Sequence, residues 1–113
     1  MTLEFPLRTY STNVLRSLHW AKRNRLAAKE KNIVWAEWHK DRKRAVTFPC
    51  TVTLTRFGPR RLDDDNLAGS FKAVRDRIAQ LMGIDDGSPL VSWVYKQQPS
   101  KEYRVRIEIC QKP

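Results

Sequence analysis

Between residues 46 and 56 the chain alternates. Val46, Phe48, Cys50, Val52 and Leu54 fall on one side, and Thr47, Thr51, Thr53 and Thr55 on the other. Successive side chains of a strand point to opposite faces, so this segment predicts a half-buried strand. Pro49 cannot donate to a ladder, which suggests an edge position or a bulge. Tyr103, Val105, Ile107 and Ile109 alternate in the same way with Arg104, Arg106 and Glu108, predicting a strand over 103–110. Residues 90–96 read as a further strand and residues 3–10 as a short first one. The period changes between Asp65 and Met82. There Leu67, Phe71, Val74, Ile78 and Leu81 step by four, three, four and three, building one apolar stripe on a helix. Lys72, Arg75, Asp76 and Gln80 fall outside the stripe, and Gly83 is a suitable stop.

Ser11, Thr12 and Asn13 are good capping or turn residues ahead of a basic segment from about Val14 to His39. Alanine, leucine, lysine and arginine dominate that segment and favour helix. Its apolar positions, Leu15, Leu18, Leu26 and Ile33, are widely spaced. They predict one exposed helix, or two with a break near Asn32. The order β-α-β-α-β-β predicts an α+β domain over 1–113, with a mixed sheet of about four strands and two main helices. At 113 residues the buried fraction of such a domain is limited, and dimerisation would extend the core.

The formal net charge of +10 is unevenly placed. Residues 1–61 hold 14 Lys and Arg against 4 Asp and Glu, whereas residues 62–113 hold 8 of each. A basic surface attracts polyanions, and nucleic acid is the commonest. A membrane surface competes for that reading, but no segment has the clean apolar face of an interfacial helix. No apolar run approaches the roughly 18 residues that span a bilayer. The first residues, MTLEFPLRTY, lack the charged start and apolar stretch of a signal peptide, so a cytoplasmic protein is expected. In that reducing compartment Cys50 and Cys110 are expected as buried thiols rather than a disulfide.

Leu62-Asp63-Asp64-Asp65-Asn66 stands between a predicted strand and a predicted helix. Three adjacent carboxylates repel unless a cation or water relieves them. On extended backbone Asp63 and Asp65 would point the same way and could share a magnesium ion that keeps several waters. One such water can serve as the nucleophile of phosphodiester hydrolysis. The plainer reading is helix capping, since negative charge favours a helix N-terminus. Asp85-Asp86-Gly87 is a second acidic pair whose plainer reading is a turn. The intervening helix, about 27 Å long, separates the two clusters unless a returning strand or a partner chain joins them. Lys72 and Lys96 are candidates to stabilise charge on a phosphate. Trp20, Trp35, Trp38 and Trp93 could stack on unpaired bases, although core packing is the commoner role.

LDDDNLAGSFKAVRDRI followed by GIDDGSP resembles the signature of RusA-like endonucleases: an Asp-x-Asp-Asn-Leu run opening a helix, an Asp-Asp pair roughly twenty residues later, then two strands. STNVLRSLHWAKR is similar to the Ser-x-Asn loop and basic segment of those proteins. The resemblance implies a homodimer that cuts paired strands at a four-way DNA junction, with magnesium (or manganese) on Asp63, Asp65 and Asp86. It implies a catalytic lysine early in the helix, but Ala68 or Gly69 stands there, leaving Lys72 one turn later, or Lys96. Asn13, Arg16, His19, Lys22, Arg23, Arg25, Arg60, Arg61 and Lys96 are the expected DNA contacts. A basic DNA-binding protein that does not cut, or a single-strand-binding module using the tryptophans, are the alternatives.

Overall fold

In chain order the elements are β1 (Thr2–Pro6), α1 (Thr12–Ser17), α2 (Trp20–Trp38), β2 (Cys50–Gly58), α3 (Asp64–Ser70), α4 (Lys72–Met82), β3 (Val91–Pro99) and β4 (Arg104–Gln111). They come from a computed structural model that describes residues 1–40 and 45–113. The sheet runs β1-β4-β2-β3, with β2 and β3 parallel and the other two pairings antiparallel. The α+β class and the four-stranded mixed sheet are as the sequence predicts.

Cys50, Val52 and Leu54 stand beside Val91, Trp93 and Tyr95 on one side and Ile109 and Ile107 on the other. With Leu3, Phe5 and Val105 they make an apolar sheet face, closed by Val34 of α2, Leu67 of α3, and Val74 and Ile78 of α4. Apolar area removed from water here is the main source of stability. The opposite face is threonine- and arginine-rich. There Arg104 and Arg106 lay their guanidinium groups over Phe57 at 4.6 and 4.9 Å, and Glu4 holds both.

Several expectations shift. β2 is an inner strand, not an edge. Pro49 lies just before it, so its missing N–H falls outside the ladder, and its carbonyl accepts from the Lys112 N–H. β1 ends at Pro6 rather than residue 10, because its partner β4 begins at Arg104, directly opposite. The basic segment does not break near Asn32. It breaks at Leu18, which is extended, and His19 then caps α2 by accepting from the Ala21 N–H through Nδ1. The helix predicted over 65–82 is two helices meeting at Phe71. The buried Ser70 hydroxyl donates to the Leu67 carbonyl at 2.7 Å, and Gly-Ser pairs with this back-bonding bend helices. Gly83 ends α4 as expected, at φ 73°.

Glu30 lies one turn before Val34 on the buried side of α2. Among the described residues its Oε1 has no hydrogen-bond partner, and burial pushes its carboxyl up to about 7. A carboxyl that ionises less readily when folded gives stability that is full below its unfolded value, about 4.5, and lost as pH rises through about 7. The melting temperature of the wild type is therefore expected to fall between pH 5 and pH 8 relative to Glu30→Gln. Parallel curves for the two proteins would show that Glu30 is not buried as a charge.

Candidate active site

The acidic run begins where β2 hands over to α3. The Gln97 side chain clamps the preceding backbone, accepting from the Leu62 N–H at 2.9 Å and donating to the Leu62 carbonyl at 2.7 Å. Asp63 is extended and caps α3. Its Oδ1 accepts from the Asn66 N–H at 2.8 Å and its Oδ2 from Asn66 Nδ2 at 2.9 Å. These bonds favour the ionised form and hold the Asp63 carboxyl below the usual carboxylate range. Asp64 and Asp65 already belong to the helix, so the run is not extended throughout and strand alternation does not align Asp63 with Asp65. Both helical aspartates are exposed, and both sit in the first turn, where the helix dipole favours negative charge.

The Ser-x-Asn loop meets this run in space. Ser11 caps α1 through the Val14 N–H, and the Asn13 N–H donates to Asn66 Oδ1 at 3.1 Å. Asn66 thus ties Asp63 to α1. The approach depends on Gly69. A β-carbon there would stand 1.9 Å from Thr12 Oγ1 and 3.3 Å from Thr12 Cβ. Rotating the threonine relieves the first contact but not the second. Gly69→Ala should therefore destabilise the protein by about 1 kcal/mol or more, despite alanine's better helix propensity. Adding Thr12→Gly should recover part of that loss in thermal melts. An unchanged melt for Gly69→Ala would mean that α1 moves freely from α3.

Thr12, Asn13, Arg16, Asp63, Asp64, Asp65 and Asn66 line one open cleft of about 730 Å³. At roughly 30 Å³ per water, it has room for a hydrated cation beside a phosphodiester. The hard oxygen donors of the carboxylates suit magnesium, which commonly takes one or two carboxylates and fills its shell with water and substrate phosphate. Among the described residues no three carboxylate, imidazole or thiol groups converge closely enough to hold an ion by themselves. A site here would be a two-carboxylate site.

Asp86 is not brought to the cleft. Its carbonyl accepts from Trp93 Nε1 and from Arg75, and its carboxylate lies 3.3 Å from Arg75 Nε. Leu62 is anchored on Gln97 and Asp86 on Trp93, four residues apart on β3, or about 13 Å of strand. Arg75, outside the apolar stripe, has a further role. It bonds Tyr95 Oη at 2.7 Å and stacks over Trp93 at 4.7 Å, so it ties α4 to β3. Lys72 points outward beside Asp76, and Lys96 lies on the sheet face away from the helices, so neither lines the cleft. The cation that does is Arg16.

Arg60 and Arg61 are exposed on the loop before Leu62, where Arg56 donates to the Arg60 carbonyl. Lys22, Arg23 and Arg25 are exposed on α2, and His19 is its cap. Trp20 and Trp35 are exposed, whereas Trp38 and Trp93 pack against the core. Cys50 is a buried free thiol as expected, but Cys110 is exposed. The parts played by Thr12, Gln97 and Arg75 have no mark in the sequence, because nothing in their local pattern signals a contact with residues tens of positions away. No helix among the described residues is long and apolar enough to cross a membrane. No known family model and no curated protein matches the chain.

Proposed function

We propose that the protein is a magnesium-dependent, structure-selective endodeoxyribonuclease acting on branched DNA, of the RusA-like kind that its motifs resemble. One observation carries the reading: residues from the two segments of that resemblance, Thr12, Asn13 and Arg16 from one and Asp63 to Asn66 from the other, line the same cleft although some fifty residues separate them. By that resemblance Asp63 and Asp65 would hold the ion, and manganese, which takes similar oxygen ligands, should substitute. The ion would supply a polarised water and neutralise charge on the scissile phosphate. Asn66 orients Asp63 and keeps it ionised, and Arg16 faces the phosphate across the cleft. The basic face of α2, with Arg60 and Arg61, would hold the DNA backbone. Asp86 would join the ion only by leaving Arg75 or by coming from a second copy.

A four-way junction has two-fold symmetry, and resolving it takes two matched cuts. A homodimer in the cytoplasm of the host meets that need. Light scattering at micromolar concentration should report the dimer, and full cleavage by a monomer would refute it. The decisive experiment incubates purified protein with a labelled four-way junction, with and without magnesium. Paired nicks near the branch only with the metal support the reading. Binding without cutting supports the second reading, a non-cleaving DNA-binding protein. Two observations favour that alternative: the ordinary capping geometry of Asp63 and the pairing of Asp86 with Arg75.

A further inference from the structure

We propose that one flank of α2 is a stacking platform for unpaired DNA bases, with Trp20 and Trp35 at its two ends. Trp20, Asn24, Ala28, Lys31 and Trp35 step by four, four, three and four, so they form one stripe along the helix. The stripe lies about a quarter-turn from the buried Glu30 and Val34. Trp20 is 62% exposed and Trp35 49%, and among the described residues no other large apolar side chain is as exposed as either. A large aromatic ring left in water marks a contact surface more often than an idle one. Each ring has an imidazole beside it: His19 stands 5.4 Å from Trp20 and His39 4.3 Å from Trp35, centroid to centroid. His39 is fixed there by the 2.8 Å contact of its Nδ1 with the Trp35 carbonyl. Each end of the stripe is therefore a broadened aromatic surface.

Charge says what meets these rings. Lys31 stands in the stripe, and Lys22, Arg23 and Arg25 crowd the first turns of the helix. The two acids of α2, Glu30 and Glu37, lie away from the stripe. Aromatic faces bordered by cations alone fit a polyanion that carries flat rings: the rings stack on bases of any identity while the cations take the phosphates. In a duplex each base is covered by its neighbours and shows only its edges in the grooves. An indole face therefore has a partner only where bases are unpaired, as they are when a branch point opens. The two tryptophans are fifteen residues apart, about 22 Å of helix. That is the length of six or seven nucleotides at about 3.4 Å each. His19 follows Arg16 of the acidic cleft by three residues, so a strand stacked on Trp20 lies near that cleft.

The choice of DNA as the polyanion rests on the branched-DNA reading, so the test leaves out metal and junction. Binding of a labelled oligothymidylate of about twelve nucleotides, long enough to reach both rings, is measured by fluorescence anisotropy in EDTA beside a blunt duplex of equal length. The proteins are the wild type, Trp20→Leu with Trp35→Leu, and Trp20→Tyr with Trp35→Tyr. Leucine keeps apolar surface and loses the π face. The leucine pair should bind oligothymidylate about twentyfold or more weaker, at roughly fivefold for each ring, and the duplex unchanged. The tyrosine pair should stay within a few-fold of the wild type for both. Tryptophan fluorescence of the wild type should fall as oligothymidylate binds. Both side chains are exposed, so all three proteins should melt alike. Oligothymidylate binding with these losses but without junction cleavage would uphold the platform and sink the nuclease reading. Undiminished oligothymidylate binding in the leucine pair, equal losses for strand and duplex, or a tyrosine pair as weak as the leucine pair would overturn the platform even if junctions are cut. So would binding to phosphatidylserine vesicles with none to oligothymidylate, which would give the flank to a membrane surface.

Discussion

Asp65→Asn is expected to cut magnesium-dependent cleavage of a four-way junction by at least about a hundredfold while leaving junction binding intact or tighter. Asparagine keeps the size of the side chain and removes the charge that would hold the ion. Binding survives because a negative charge facing phosphate has gone. Asp63→Asn should lose cleavage to a similar degree. Its fold should persist, since asparagine caps helices about as well as aspartate and can still accept from the Asn66 N–H. Asp64→Asn serves as the control and should matter least, because the motif resemblance, and no longer strand alternation, puts the ion on Asp63 and Asp65. If capping is the whole role of the run, all three asparagine variants cleave fully, and only Asp63→Ala is unstable. Cleavage abolished in Asp64→Asn alone would shift the metal site by one residue. Asp86→Asn separates two positions for that loop. Abolished cleavage with an unchanged melting temperature would put Asp86 on the ion. Retained cleavage with a lower melting temperature would leave it as the partner of Arg75.

DNA affinity is expected to fall steeply with salt, by about a thousandfold or more between 50 and 200 mM if six or more phosphates are contacted. Each phosphate neutralised by Lys or Arg releases condensed counterions, and Lys22, Arg23 and Arg25 stand exposed on α2 to do so. The triple alanine variant should weaken binding to every DNA sequence alike. Its log–log salt slope should flatten by up to about one unit for each phosphate that is no longer neutralised. Alanine is a strong helix former, so α2 should persist and the weaker binding can be ascribed to charge. An unchanged slope would move the DNA surface to another basic area, such as Arg60 and Arg61 or the Arg104–Arg106 face.

The pattern along the chain is a good guide wherever one face of an element is buried and the other wet. The alternation at 50–54 and at 105–109, and the stripe from Leu67 to Leu81, put the right residues on the core side, because burial follows the period of the backbone. It is a poor guide where a polar residue interrupts the buried side. Glu30 stands between Leu26 and Val34 and disguises the inward side of α2, so that helix reads as merely exposed. The bend at Phe71 is also hidden, because the apolar stripe runs unbroken through it. It falls where the buried Ser70 hydroxyl bonds backward to the Leu67 carbonyl, a contact that favours bending.

The same division holds for the candidate site. Sequence by itself determined the α+β class, the charge split and the presence of an acidic run at a helix start, since these depend on composition and on contacts within a few residues. It could place Asn13 and Asp63 in separate motifs but had no means of joining them. Only the tertiary structure brought α1 against α3, through the missing side chain of Gly69 and the amide of Asn66. Only the tertiary structure kept Asp86 with Arg75 and Trp93 at a distance from Asp63, because the parallel pairing of β2 and β3 fixes the two acidic segments at different heights along the sheet. Such contacts depend on how whole elements pack, and no local pattern of residues encodes them.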